Sequence, residues 1–335
     1  MTLVASLHPV SGTAREILAL LREWDAAAAP SPLVIATSGS TGAPKRVVLS
    51  RDAMRASALA TQERLGGPGR WVLNLPPSYV AGVQVLYRSV VAGTEPVERV
   101  EDVRGGRCYL SMVPTQLYRR MNDGSDIADL VGCDAVLIGG GPLAPNVRLH
   151  AESNGIRVVQ TYGMSETCGG CVYDGVPLEG VSVSIGGDGE VLLRGPMLFE
   201  GYEDEPARTA TALRDGWFHT DDLGALVNDR LTVLGRADDV VISGGVNIPA
   251  RAVASMILAG GDVFGVEVVG VPDDEWGERA VAVVAVDNVT SLDHIRSLVE
   301  PREWAPRQLV VVEEIPMLPN GKPDRLAVKE LAARG

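Results

Sequence analysis

The stretch Leu33-Val34-Ile35-Ala36-Thr37-Ser38-Gly39-Ser40-Thr41-Gly42-Ala43-Pro44-Lys45 decides how the chain is read. Leu33 to Thr37 is a short aliphatic run of strand length, and a loop dense in glycine and hydroxyl groups follows it directly. The glycines let backbone N–H groups turn inward, Thr37, Ser38, Ser40 and Thr41 add donors, and Lys45 adds a positive charge. Together they make a cradle for an anion, and the residue types suit phosphates. A Walker A loop needs Gly-Lys-Ser/Thr after four spacers, but here Ala43 and Pro44 separate Gly42 from Lys45, so the P-loop reading fails. The plainer alternative is a Ser/Gly-rich surface linker, yet such linkers rarely abut an aliphatic strand and end in Pro-Lys.

Outward from that loop, aliphatic runs alternate with helical patterns as far as about Gly163, which predicts an α/β fold with a parallel sheet covered by helices. The other strands expected there are Trp71 to Leu75, Cys108 to Val113, Ala135 to Gly139 and Arg157 to Tyr162. Asp52 to Leu65, Val83 to Val91, Thr115 to Met121 and Val147 to Asn154 read as helices, with Ser50, Pro114 and Pro145 near their starts. After Gly175 the pattern becomes short alternating strands with Asp-Gly and Asn-Asp turns: Val181 to Ile185, Glu190 to Arg194, Ala225 to Val227 and Leu231 to Leu234. A new α+β pattern begins past Gly235: helix Pro249 to Leu258, strands Val263 to Val271 and Arg279 to Val286, helix Leu292 to Val299, strand Gln308 to Val312. The expected division is therefore residues 1–235, with an antiparallel β subdomain over about 176–235, and residues 236–335 as a small second domain.

Composition narrows the function classes. The chain has 335 residues, 46% of them hydrophobic and 22% charged, enough to fill a sizeable core. Thirty basic against 43 acidic side chains leave a formal charge of −13, which repels a nucleic-acid backbone. The beginning, Met1-Thr2-Leu3-Val4, lacks a basic stretch followed by an apolar core, and no apolar run approaches the roughly 18 residues that span a bilayer. A cytoplasmic protein without membrane insertion is expected, with its four cysteines as reduced thiols. A homodimer is left open.

Four further segments carry chemistry. Gln160-Thr161-Tyr162-Gly163-Met164-Ser165-Glu166-Thr167 ends a predicted strand, and Glu166 there is a candidate Mg²⁺ ligand, since magnesium takes one or two carboxylates plus substrate phosphates. Gly216-Trp217-Phe218-His219-Thr220-Asp221-Asp222-Leu223-Gly224 places two acids just before a predicted hairpin. Gly235-Arg236-Ala237-Asp238-Asp239-Val240-Val241-Ile242-Ser243-Gly244-Gly245-Val246-Asn247-Ile248 lies at the domain boundary, and Leu318-Pro319-Asn320-Gly321-Lys322-Pro323-Asp324-Arg325 holds a lysine at a loop tip.

With the phosphate loop these segments, in this order, make the chain resemble the adenylate-forming superfamily of acyl- and aryl-CoA synthetases, peptide adenylation domains and firefly luciferase. The runs Leu75 to Leu86 and Ser165 to Leu178 are most similar to those of the o-succinylbenzoate-CoA ligases of menaquinone biosynthesis. The resemblance implies a large N-terminal domain, a small mobile C-terminal lid, and ATP, Mg²⁺ and CoA as the small molecules. It implies that Thr37, Ser38, Gly39, Ser40, Thr41, Gly42 and Lys45 bind the ATP phosphates and that Glu166 holds the metal. Gly139, Gly140, Gly141, Thr161, Tyr162 and Gly163 would enclose the adenine, Asp222 and Arg236 would touch the ribose, Asp238 would be the hinge, and Lys322 the adenylation lysine. Ser78, Tyr79, Val83, Arg88, Met164 and Gly170 would line the acyl pocket, with Arg88 on the carboxylate that is not activated; the alternative for Arg88 is a helix-surface arginine. Ser243, Gly244 and Gly245 would move in for the CoA step.

The chain also departs from the family pattern. About 36 residues precede the phosphate loop, far fewer than usual, Arg46 and Asp221 replace common glycines, and Ser243 replaces a common lysine. Cys168-Gly169-Gly170-Cys171 has redox or metal spacing, but Cys108 and Cys133 form no second pair in the sequence, and His8, His150, His219 and His294 are scattered. Neither a redox centre nor a metal triad is expected, and adjacent Asp221 and Asp222 point apart on a strand, which excludes a paired-carboxylate hydrolase. Another acyl- or aryl-CoA synthetase, or an enzyme that loads a carrier protein, is the nearest alternative, and a truncated nucleotide-binding subunit is the non-catalytic one; the presence of Lys45, Glu166, Asp222, Arg236 and Lys322 argues against the latter.

Overall fold

A computed structural model describes residues 8–37, 45–123, 127–237, 239–286, 289–318 and 323–335. Four sheets organise these residues. The first joins β1 (His8–Pro9), β2 (Leu33–Ala36), β3 (Arg46–Leu49) and β12 (Gly201–Tyr202). The second runs β4 (Gly69–Val72), β5 (Arg107–Met112), β6 (Ala135–Ile138), β7 (Val158–Met164), β8 (Gly169–Tyr173) and β9 (Val176–Pro177), parallel through β7 and antiparallel after it. The third is antiparallel throughout: β10 (Ser182–Ile185), β11 (Glu190–Arg194), β13 (Leu213–Arg214), β14 (Trp217–Val227) and β15 (Arg230–Arg236). The fourth holds β16 (Val240–Ser243), β17 (Val246–Pro249), β18 (Gly265–Asp273), β19 (Gly277–Ala285) and β20 (Gln308–Val312), the last parallel to β19.

The helices are α1 (Ala14–Ala26), α2 (Arg51–Leu65), α3 (Val80–Ala92), α4 (Pro114–Asp123), α5 (Ile127–Val131), α6 (Pro145–Ser153), α7 (Pro206–Ala212), α8 (Ala250–Ala259), α9 (Leu292–Ser297) and α10 (Arg325–Arg334). Their starts follow from the sequence. Thr13 and Glu16 form a reciprocal capping box on α1, and the Ser50 hydroxyl caps α2 by accepting from the Ala53 N–H. Ile17, Leu21 and Trp24, at helical spacing, bury one face of α1. Helix α3 is different, because every residue from Gly82 to Ser89 is buried. It packs against α1, α2, β4 and β8. Gly82 lets the start of α3 close on the turn before it: a Cβ there would lie 2.1 Å from the Pro76 carbonyl oxygen.

Two expectations are corrected. Leu33–Ala36 does not join the parallel sheet; it pairs antiparallel with β3, whose strand Arg46–Leu49 the sequence pattern had not marked. The chain returns at once after the phosphate loop, and a short antiparallel closure orders fewer residues than a crossover would. The strand expected at Ala225 to Val227 begins at Trp217, so the segment Gly216 to Gly224 lies largely within β14, the first strand of the hairpin that β14 and β15 form around Asn228-Asp229.

The fourth sheet and α8 sit beside α4 and α6. Tyr118 stacks on Phe264 with ring centroids 4.3 Å apart, Arg119 pairs with Glu314 at 2.6 Å, and the Asn146 side chain donates to the Gly261 carbonyl at 3.0 Å. Among the described residues no helix is long and apolar enough to cross a membrane.

Candidate functional site

The loop that opened the sequence reading is closed at its base, where the Thr37 N–H donates to the Lys45 carbonyl at 2.8 Å. Lys45 leads into β3, and β3 pairs with β12, so Tyr202 of β12 stands next to the lysine, whose Nζ lies 5.7 Å from the Tyr202 ring centre. Tyr202 also reaches the other expected phosphate-side residue. Its hydroxyl donates to Glu166 Oε1 at 2.9 Å, and the Phe199 N–H donates to the Glu166 carbonyl. Glu166 is only 6% exposed. Burial, with the carboxylate beside it, pushes the Tyr202 phenol above its ordinary range, so it remains a donor to Glu166. One carboxylate oxygen is thereby fixed while the other is left for a ligand, which suits a single-carboxylate magnesium site completed by phosphate oxygens.

Strand alternation separates the two acids of β14. Asp222 is buried and accepts from the Tyr162 hydroxyl at 2.8 Å, while its N–H donates to Thr220 Oγ1 at 3.0 Å. Burial, followed by the charge of Asp222, pushes the Tyr162 phenol up. Asp221 faces the other way. Its Oδ2 lies 3.0 Å from Arg236 Nη2 and 4.0 Å from Lys45 Nζ, bridging two cations expected at the nucleotide. Asp221 stands where the family has a common glycine; its neighbour Asp222 is the residue opposite Arg236 in the β14–β15 ladder, and that adjacency is the signal that points to Asp221.

The residues expected at the adenine lie at the ends of neighbouring strands. Gly139, Gly140 and Gly141 follow β6, and Thr161 of β7 donates to the Ile138 carbonyl at 3.3 Å. A Cβ on Gly139 would lie 2.7 Å from the Thr161 hydroxyl, and one on Gly163 would lie 2.1 Å from the Gly169 carbonyl oxygen. These glycines let β6, β7 and β8 present backbone at close quarters.

The expected acyl residues Ser78, Tyr79, Val83 and Arg88 lie on and before α3, and Met164 and Gly170 on the facing strands β7 and β8. Arg88 is not a surface arginine. It is 7% exposed, with its guanidinium 4.8 Å from the Trp71 ring centre and Nη2 donating to the Tyr173 hydroxyl at 3.4 Å. Tyr173 shares a 3.0 Å hydrogen bond with Thr61. Arg88 Nε has no partner, and no carboxylate of the described residues pairs with the guanidinium.

Ser243, Gly244 and Gly245 form a separate group in the fourth sheet. Ser243 accepts from Arg307 Nε at 3.3 Å, the Gly244 N–H donates to the Trp276 carbonyl, and Arg307 stacks 3.4 Å from the Trp276 ring centre. Gly244 takes a positive φ of 58°, with the Trp276 ring where a Cβ would be. Ser38, Gly39, Ser40, Thr41, Gly42, Asp238 and Lys322 lie outside the described residues.

The cysteines bring one correction. Cys108 and Cys133, far apart in sequence, face each other as free thiols with sulfurs 3.4 Å apart. Cys168 and Cys171 are both in the core, where burial pushes the Cys171 thiol up to about 12, the opposite of a reactive thiolate. No group of three or more metal-binding side chains occurs among the described residues.

Comparison with known proteins identifies the family. Residues 26–203 match the family described as AMP-binding enzyme, and residues 252–322 match the AMP-binding enzyme C-terminal domain. A Mycobacterium tuberculosis protein named "Probable 2-succinylbenzoate--CoA ligase" is 42% identical over 319 residues, covering 88% of this chain and 83% of that one. A "2-succinylbenzoate--CoA ligase" of Listeria monocytogenes is 32% identical over 355 residues, covering 97% and 75%. Among solved structures, the o-succinylbenzoate CoA synthetase of Bacillus subtilis in complex with its acyl-adenylate intermediate aligns with a TM-score of 0.74 at 27% identity, over 89% of this chain and 68% of that one. The amide bond synthetase McbA from Marinactinospora thermotolerans aligns with a TM-score of 0.78 at 28% identity and the same coverages.

Proposed function

This chain belongs to the AMP-binding enzyme family, and we propose that it is an ATP-dependent ligase joining o-succinylbenzoate to CoA through an acyl-adenylate. The observation that carries the choice of acid is Arg88. A buried guanidinium with an unpartnered Nε and no carboxylate beside it among the described residues needs an anion to offset its burial. o-Succinylbenzoate supplies one: it carries two carboxylates, one to be activated and one left over for a planar guanidinium.

In the first half-reaction the succinyl carboxylate attacks the α-phosphorus of ATP, and the bond to pyrophosphate breaks. In the second, the CoA sulfur attacks the acyl carbonyl, and AMP leaves with the bonding pair. A magnesium ion, when bound, supplies charge neutralisation on the departing phosphates, and Glu166 would hold it. Lys45 and the Thr37–Gly42 loop would bind the β- and γ-phosphates, with Asp221 keeping Lys45 and Arg236 in reach of one another before ATP arrives. Asp222 would take the ribose hydroxyls, the Tyr162 hydroxyl orienting its carboxylate, and the Gly139–Gly141 turn with Tyr162 would bound the adenine. Val83, Ser78, Tyr79, Met164 and Gly170 would shape the acyl pocket.

We divide the chain functionally after residue 235, with Asp238 as hinge and Lys322 as the lysine that stabilises charge during adenylation. Rotation of the small domain would then exchange the lysine loop for the Ser243–Gly245 loop between half-reactions. The substrates are water-soluble metabolites, and the cytoplasm is the fitting compartment.

The test is pyrophosphate release with MgATP across o-succinylbenzoate, benzoate, medium-chain fatty acids and amino acids, with CoA-thioester detection alongside. The expected result is pyrophosphate and thioester from o-succinylbenzoate alone. Release with a different acid would reassign the substrate, and no release with any acid would favour the non-catalytic nucleotide-binding reading.

A further inference from the structure

Gln84 lies one helical turn before Arg88, so the two side chains project from the same side of α3, their Cβ atoms roughly 5–6 Å apart. It is 1% exposed, on a helix whose other neighbours are almost all apolar. Its amide nitrogen has only the Met54 sulfur as a partner, at 3.4 Å, and Oε1 has no partner at all. An amide buried in this way costs stability unless something completes its hydrogen bonds, and Leu or Met would fill the same space at no such cost. Gln84 Oε1 and Arg88 Nε are thus two orphaned polar atoms on one turn of one helix. They are held against β8, where a Cβ on Gly169 would come within 3.4 Å of Gln84 Cγ. Gly169 neighbours Gly170, which is among the residues assigned to the acyl pocket.

We propose that Gln84 is a specificity-determining residue of the acyl site, donating from its amide to the same substrate carboxylate that Arg88 binds. This rests on the ligase reading above and adds to it a second donor and the part of the substrate it recognises. A half-turn of the amide exchanges its two ends, sacrifices only the weak N–H···S contact, and places Nε2 at the unpartnered end. The carboxylate then accepts from the Arg88 guanidinium and the Gln84 amide together, within the acceptor capacity of its two oxygens. Tyr173, braced by Thr61, and the Trp71 ring keep the guanidinium facing that point. An acid lacking the second carboxylate leaves both donors buried and unpaired, and a site built on hydrogen bonding rejects such an analogue strongly.

The experiment compares KM for o-succinylbenzoate with KM for 4-oxo-4-phenylbutanoate, the same acid without the ring carboxylate, in wild type and Gln84→Leu. Thermal melting and AMP binding establish that the variant is folded; Gln84→Met, unbranched and near in volume, replaces it if Leu is not tolerated. Loss of a hydrogen bond to a charged group predicts a KM for o-succinylbenzoate raised about ten- to a hundredfold, with that for the phenyl analogue unchanged. Equal changes for both acids, or none for either, would overturn the proposal by reducing Gln84 to a packing residue. Turnover of o-succinylbenzoate by the wild type separates the two levels: if it is absent, the ligase reading and this inference fall together. If it is present and Gln84→Leu behaves as wild type, the inference alone falls.

Discussion

Glu166 and Arg88 are both charged, both buried, and supported by tyrosine hydroxyls from other elements, yet their second partners differ. Glu166 has the Tyr202 hydroxyl on one oxygen, whereas Arg88 keeps an orphaned Nε beside an aromatic face. Each is half-satisfied in the protein alone, the condition expected of groups whose remaining partner is a ligand. Tyr202→Phe removes the donor from Glu166 and leaves a buried carboxylate oxygen short of a hydrogen bond. The expected outcome is pyrophosphate release reduced about tenfold, in line with the loss of one hydrogen bond to a charged group, with a higher magnesium concentration needed for half-maximal rate. A magnesium titration of initial rates checks this, and an unchanged titration midpoint would remove Tyr202 from the site. The individual residues were legible in the sequence as a set of types in order. Their partners were not, because Tyr202 and Glu166 are 36 residues apart and meet only when β12 pairs with β3.

At the scale of elements, α3 carries both Gln84 and Arg88. An amphipathic helix would have left Arg88 free to turn outward, but α3 packs against α1, α2, β4 and β8, and Gln84 and Arg88 are both buried. Periodicity alone did not distinguish these cases, since an aliphatic run with one arginine fits either a surface stripe or a buried rod. The close contact of Gly82 with the Pro76–Pro77 turn tests how α3 is seated. Gly82→Ala sets a Cβ 2.1 Å from the Pro76 oxygen, so α3 must shift. Overpacking of this kind costs roughly 1–3 kcal/mol, and a lowered melting temperature together with a raised KM for the acid is expected. Preserved stability and kinetics would mean that α3 does not fix the acyl site. The sheet assignments show the same limit: Leu33 to Thr37 reads as a strand, but only its partner at residues 46–49 determines that it stands outside the parallel sheet.

Across the whole molecule, the two half-reactions make different demands on one chain. Among the described residues the small sheet and α8 meet α4 and α6 at the Tyr118–Phe264 stack, the Arg119–Glu314 ion pair and the Asn146–Gly261 hydrogen bond, over an apolar cluster that includes Leu117, Val147, Val253 and Val266. The assignment of Lys322 predicts a split between the steps. Lys322→Ala should abolish pyrophosphate release while supplied acyl-adenylate and CoA still give thioester; single-turnover assays of each step measure this, and equal loss of both would contradict the role.

By itself the sequence determined the α/β class, the order of the motifs and the family, because these depend on residue types and on spacing along the chain. It also supplied the cradle, the candidate magnesium carboxylate and the arginine. The tertiary structure decided what depends on distance across the chain: that Asp221 bridges Lys45 and Arg236, that Cys108 faces Cys133, and that Arg88 and Gln84 are enclosed with unpartnered atoms. The physical reason is burial. Whether a polar group is satisfied depends on the side chains that long-range packing brings within hydrogen-bond reach, and no local pattern specifies them.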